Sequence, residues 1–273
     1  TAYEIPKRDW SSDVCSSDLL VTHILPATLA VAESLGSSGK DTLTAFMLAY
    51  EATNKLTKVI EARRKEHRSP THRGWWHVGF IAPIGATLAA CRLMKLNKKQ
   101  TAVAIGISTV SSAGVRRNMG TMSKGMHSGQ GARFGIEAAW LAKKGFTGDP
   151  EILEAPLGFI FALSPEDERD VTAITERLAK PWALEKNPGM KDFPAVTPGH
   201  GVIDASLAVR RAHDFSVDDI DYVESDYNTF SLLRPEAHDD EEAGFCAPFM
   251  VASALVHNAF GLAQVTEKAV HNK

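Results

Sequence analysis

A chain of 273 residues with 44% hydrophobic and 23% charged side chains can bury a full core, enough for one large domain and part of a second. Its net charge of −3 excludes recruitment of nucleic acid or an anionic membrane by a global positive field, so an anionic partner must be held by a few placed cations. Cys15, Cys91 and Cys246 lie far apart without a C-x-x-C, which excludes a disulfide framework, a cysteine zinc site and an ordinary iron–sulfur site, and suits a reduced, cytoplasmic setting. No apolar run approaches the ~20 residues of a membrane span, and the N-terminus lacks the order of a secretory signal.

In chain order, the first twenty residues stand apart. Trp10 to Leu20 reads W-S-S-D-V-C-S-S-D-L-L, with a near-duplicated Ser-Ser-Asp and neither helical nor strand periodicity. Residues from about 8 to 20 resemble the translation of a sequencing-adapter read-through; the other reading is a Ser/Asp-rich disordered lead. Residues 1–20 are therefore expected to be non-native or disordered. From His23 the chain reads as helices. Ala27, Ala30, Val31 and Leu35 form a face that stops at Gly36-Ser-Ser-Gly39. Asp41 can cap the next helix, whose face is Leu43, Phe46, Met47, Tyr50 and Leu56, and which runs out at Arg63-Arg64-Lys65. Ile84 to Leu96 is apolar all round, as a buried helix requires. Asn97 caps a helix expected to reach about Val115, and a further helix is expected over Gly131 to Lys144. Asp149-Pro150-Glu151 reads as a helix start, and Glu166 to Ala179 as another helix. Pro, Gly and Asn cluster over Pro181 to Pro198, which places a domain boundary near Asn187. Beyond it, Val202 to Arg211 and Ala247 to Gly261 suit helices, and Ile220 to Tyr227 alternates as a strand would.

Four spots concentrate acid–base or anion-binding groups. Thr22-His23 stands just before the expected first helix, where backbone N–H groups attract carboxylates and an imidazole can pass a proton. Alone, such a His is usually a solvent-exposed residue. His72-Arg73-Gly74-Trp75-Trp76-His77 suits a pocket wall with a polar handle, or equally a loop whose tryptophans plug the core. Arg116-Arg117, followed by the glycine-rich run through Lys124 and His127 to Gly131, allows close backbone approach to a carboxylate, or is a flexible basic loop. Lys191 to His200, fixed by Pro194 and Pro198 at a domain junction, is either a ligand site or a solvated linker.

Together these segments resemble the MmgE/PrpD family, which includes 2-methylcitrate dehydratase and cis-aconitate decarboxylase. The resemblance runs through T-H-I-L-P-A-T-L-A-V-A-E (22–33), R-G-W-W-H-V-G-F-I-A-P-I-G-A (73–86), the long stretch from Met122 to Gly148, I-L-E-A-P-L-G-F (152–159), K-D-F-P-A-V-T-P-G-H (191–200) and E-A-G-F-C-A-P-F-M-V-A-S-A-L (242–255). It implies a mainly α protein: a large all-helical domain over 21–186, then part of a smaller α+β lid domain over 187–273, with the active site between them. By position, His23, Lys124, Lys191 and His200 correspond to family site residues. The family uses no metal or organic cofactor for this chemistry, and the analogy extends to a homodimer. Departures are specific. The Asp-Asp-Thr-His stretch of many relatives is replaced upstream of Thr22, which together with a stop inside the lid reads as truncation at both ends. Trp76 stands where relatives often have a site His, with His77 one position later. Phe249 and Cys246 stand where many relatives have Tyr and Ser.

The chemistry implied is lyase chemistry on a small polycarboxylate. Dehydration needs a base for a carbon-bound proton, an acid for the departing hydroxide, and cations that hold the carboxylates. Lys124, His23, Lys191 and His77 are the catalytic candidates; His127, His200, Arg117 and Trp76 are the candidates for holding substrate. A decarboxylase or epimerase of a related acid, and a non-catalytic helical binding protein, remain as alternatives.

Overall fold

The computed structural model describes residues 14–61, 69–164, 170–186, 191–227 and 234–271. The chain is mainly α-helical, and its contacts divide it into two compact units. The first comprises Ser16–Arg116 and Gly125–Gly189; the second comprises Arg117–Lys124 and Met190–Lys273.

In the first unit, α1 (Val14–Leu35) begins inside the segment expected to be foreign or disordered. Leu20 and Ile24 explain the helix there, because both are fully buried in the core. The remainder of the expected lead, residues 1–13, lies outside the described residues. α2 (Gly39–Glu61) is capped by Ser38 rather than Asp41: the Ser38 hydroxyl accepts from the Asp41 N–H (3.1 Å) and donates to its carboxylate (2.7 Å). The basic run at 63–65 lies outside the described residues. α3 (His77–Leu93) is buried along almost its whole length, with Phe80, Ile81 and Ile84 meeting Leu20, Ile24, Tyr50, Leu56 and Ile60. Each such side chain, fully withdrawn from water, contributes roughly 1.5–3 kcal/mol before chain entropy is counted. α4 (Lys98–Ser108) starts on a full capping box between Asn97 and Gln100, as its sequence indicates. It ends well before Val115, passing through a 3-10 turn (Thr109–Ser111) to a β-bridge between Val115 and Trp75.

α5 (Ser123–Lys143) starts eight residues earlier than expected, so the glycine-rich run holding Lys124 and His127 is helix rather than loop. Packing overrides propensity here. A Cβ at Gly135 would lie 2.5 Å from the Pro83 carbonyl oxygen and 2.6 Å from the Ala86 Cβ, and one at Gly131 would collide with Ala82. Those absent side chains let α5 lie against α3, and the Thr87 hydroxyl donates to the Gly135 carbonyl at 3.0 Å. The expected helix at 149–151 is a series of turns leading to α6 (Phe159–Leu163). Of the one expected over 166–179, α7 (Thr172–Thr175) alone forms among the described residues, followed by α8 (Ala183–Lys186). Both flank a segment held by the buried Glu51 carboxylate, which accepts from the N–H groups of Ala179 (3.0 Å) and Ala183 (2.7 Å).

The second unit is built on α9 (His200–Ala212) against α11 (Ala247–His257), through Val202, Ile203 and Leu207 on one side and Met250, Val251 and Ala254 on the other. α10 (Asp240–Ala243) precedes α11, and α12 (Glu267–Val270) follows it. The strand expected over 220–227, the basis for an α+β character, does not form. Tyr222 and Val223 are exposed there, and no strand occurs among the described residues. An alternating pattern supplies one face of a strand, not the partner backbone that makes it one.

Candidate active site

His23 is the first site residue whose setting differs from its sequence reading. It sits in the body of α1, not before a helix, so no helix-end dipole acts on it. The imidazole is wholly buried, and neither ring nitrogen makes a hydrogen bond of ordinary geometry, although the Leu19 carbonyl lies close enough to favour a proton. Burial first, and repulsion from His77 second, push its pKa down to about 3. His23 is therefore a neutral imidazole at physiological pH, available as acceptor, donor or base.

His77, the first residue of α3, is buried, and its ring centroid is 4.5 Å from that of Trp76. The tryptophan pair splits: Trp76 is 4% exposed with its indole N–H directed into the interior without an acceptor, while Trp75 is 41% exposed. The turn carrying them is tied at several points. Trp76 N–H donates to the Gly114 carbonyl (3.1 Å), Arg116 N–H to the Gly74 carbonyl (2.8 Å), and Arg73 to the Leu163 carbonyl (2.8 Å). His127, in the second turn of α5, lies over Gly114, where a Cβ would be 2.7 Å from its ring; burial lowers its pKa, and its Nε2 has no protein partner. Thr22 and Ser128, neighbours of His23 and His127, share a 3.0 Å hydrogen bond. The first unit thus joins His23, His77, Trp76 and His127 through a chain of adjacent contacts, and leaves buried polar atoms of three of them unmet.

Nearby sits a group that sequence reasoning passed over. Glu61, at the end of α2, accepts from the Thr71 hydroxyl at 2.7 Å, and burial raises its pKa, opposed by Thr71, Ser69 and the charge of Arg116. Its sequence signal was hidden, since an acid before a basic run reads as a solvated helix end.

The second unit places the lysines. Lys124 is the second residue of α5, half-buried, with its ammonium 6.0 Å from the centre of the Phe245 ring. Lys191 is exposed and donates to the Ala195 carbonyl at 2.8 Å. His200 is 1% exposed at the start of α9 and stacks edge-on against Phe193, with ring centroids 5.3 Å apart. Its pKa is lowered by burial and then by the charge of Lys191, whose ammonium is bound at Ala195. Arg117 is exposed. Cys246 is the N-cap of α11, its sulfur accepting from the Phe249 N–H (3.5 Å), and Phe249 packs against Phe260; these two positions carry structure here. Among the described residues no group of three His, Cys, Asp or Glu side chains is arranged to hold a metal ion, and no helix is long and apolar enough to cross a membrane.

Over 196 residues the chain is 28% identical to the cis-aconitate decarboxylase of Homo sapiens and 27% identical to that of Mus musculus. Those alignments cover 69% of this chain and 38% of each relative, so the chain spans well under half the length of the curated relatives it matches. The MmgE/PrpD N-terminal domain profile matches residues 20–172 and the MmgE/PrpD C-terminal domain profile matches residues 193–273. With both halves of the family pattern present in order, the chain belongs to the MmgE/PrpD family.

Proposed function

We propose that this protein is a cofactor-independent lyase that dehydrates a small hydroxy-polycarboxylate of the 2-methylcitrate type. The observation that carries the reading is His23: a fully buried imidazole beside a second histidine, with no ordinary hydrogen bond to either nitrogen. A fold tolerates such a group where a ligand completes it. A substrate carboxylate brought beside His23 favours its protonated form and so raises its pKa from about 3 toward the working range. In the proposed reaction a base removes the proton from carbon, the C–C double bond forms as the C–O bond breaks, and a protonated group delivers its proton to the departing hydroxide. Lys124 and Lys191 hold the carboxylates and stabilise the charge that develops in the transition state. Trp76, His127, His200 and Arg117 are the proposed substrate contacts.

A second reading is decarboxylation of a related tricarboxylate, favoured by the cis-aconitate decarboxylases that the chain resembles. Phe249 weighs against it: it has no proton to give where, as noted above, many relatives have a tyrosine. The assay separates the two. Incubation with 2-methylcitrate or citrate should yield an unsaturated acid, incubation with cis-aconitate should release no carbon dioxide, and Lys124→Ala and Lys191→Ala should each lower turnover by about 100-fold or more. Carbon dioxide release from cis-aconitate would select the second reading. Turnover unchanged in both variants would remove the lysines from the mechanism.

A further inference from the structure

Lys124 and Lys191 are 67 positions apart in the sequence, yet in the second unit both their segments are fastened to one short piece of chain. At its centre is Arg234. Its guanidinium donates to the Met119 carbonyl (3.1 Å) and pairs with the Glu242 carboxylate (3.2 Å), and both side chains of the pair are largely withdrawn from water, at 16% and 12% exposure. Gly120 lies beneath it with φ +75°, and a Cβ there would be 3.0 Å from Arg234 Nε and 3.4 Å from Phe245 Cδ2. The left-handed backbone favours glycine here, and a side chain would also crowd the approaching guanidinium. The next residue, Thr121, accepts the Lys124 N–H at 3.0 Å, so the turn held by Arg234 sets where α5 begins and where Lys124 stands. Phe245, whose carbonyl accepts the Arg234 N–H (3.4 Å), presents its ring to the Lys124 ammonium. On the other side, the Gly244 carbonyl holds the Val196 N–H at 2.8 Å, beside the Ala195 carbonyl that receives Lys191.

We infer that Arg234, with Glu242 and Phe245, is a positioning device that sets the substrate-holding Lys124. The inference rests on the proposed role of Lys124 in substrate binding. A buried, bidentately used guanidinium suits the task, because its planar fork fixes two partners at once, and a lysine in its place keeps the charge but not the geometry.

The test separates the device from the reaction. Lys124 is labelled with acetic anhydride in the folded full chain, and its modification is followed by peptide mass spectrometry, with exposed Lys40 and Lys98 as internal standards. Arg234→Met should raise Lys124 labelling about threefold or more relative to the standards, and Arg234→Lys should fall between it and the parent. Turnover is measured alongside. Arg234→Met should lower kcat about tenfold or more, and combined with Lys124→Ala it should be no worse than Lys124→Ala alone, within about twofold, since the two changes act through one group. A loss that merely reflected lower stability would instead multiply. Unchanged Lys124 labelling in a folded Arg234→Met overturns the inference, as does a multiplicative double variant. Full activity of Lys124→Ala with altered labelling leaves the positioning intact and sinks the functional reading instead. Should Arg234→Met not fold, Arg234→Lys and Phe245→Leu carry the same comparison with the same outcomes.

Discussion

His23 makes the folded chain sensitive to acid in a calculable direction. Its pKa is about 3 when folded, against about 6.5 for an exposed imidazole. Between those values the unfolded chain binds the proton and the folded chain does not, so stability rises with pH through that window and is complete above about 6.5. Acidification below about pH 6.5 should cost about 1.4 kcal/mol per pH unit from this residue alone, down to about pH 3. His127 and His200, also lowered by burial, act in the same sense. Denaturant midpoints measured from pH 7 to pH 5 should therefore fall steeply in the parent. In His23→Leu the fall should be shallower, because the group that resists protonation is gone. A parent and variant with parallel pH curves would show that His23 takes up its proton without unfolding cost.

At the scale of the element, α5 carries glycines with opposite consequences. Gly135 faces α3, where an added methyl meets Pro83, Ala86 and Thr87. Gly129 faces open space on an exposed turn. Gly135→Ala should therefore destabilise the fold by about 1–3 kcal/mol through overpacking, whereas Gly129→Ala should stabilise it by about 0.4–1 kcal/mol by restricting the unfolded chain. Thermal unfolding of the two variants reads both signs. Equal and favourable effects would mean that α5 does not lie on α3 as described. The same helix shows what a sequence conceals. Local signals were legible: the Asn97 cap, the apolar face of α2 and the all-round burial of α3 each follow from neighbours within a few residues. The start of α5 was not, since four glycines in a row of turns argue for a loop until the partner helix is known. The strand at 220–227 failed for the complementary reason, an alternation with no partner strand among the described residues. The site divides likewise. The candidates His23, Lys124, Lys191 and His200 were singled out through motif resemblance, while Arg234 and Phe245 act on Met119 to Lys124 across more than a hundred residues and leave no local pattern. Glu51 is similar, a lone acid whose partners, the N–H groups of Ala179 and Ala183, lie far along the chain.

At the scale of the whole molecule, each unit closes its own core, but the segments that build them interleave, because Arg117–Lys124 belongs with the C-terminal half. The first unit also leaves large apolar side chains in water: Leu29, Leu43 and Leu48 on α1 and α2, Trp140 on α5 and Phe146 just beyond it, between 43% and 63% exposed. If these side chains form one contiguous patch, a second copy is the partner always present at matching concentration to cover it. A homodimer that withdrew about 800 Å² from each copy would suffice for stable association. Sedimentation velocity across a micromolar concentration series should then show a dimer. Leu43→Glu and Phe146→Glu should each shift the protein toward monomer while changing its own stability by no more than about 0.5 kcal/mol, since an exposed position tolerates charge in isolation but not against another apolar face. A parent that sediments as a monomer throughout the series, or glutamate variants that associate as well as the parent, would leave those side chains without a role in self-association.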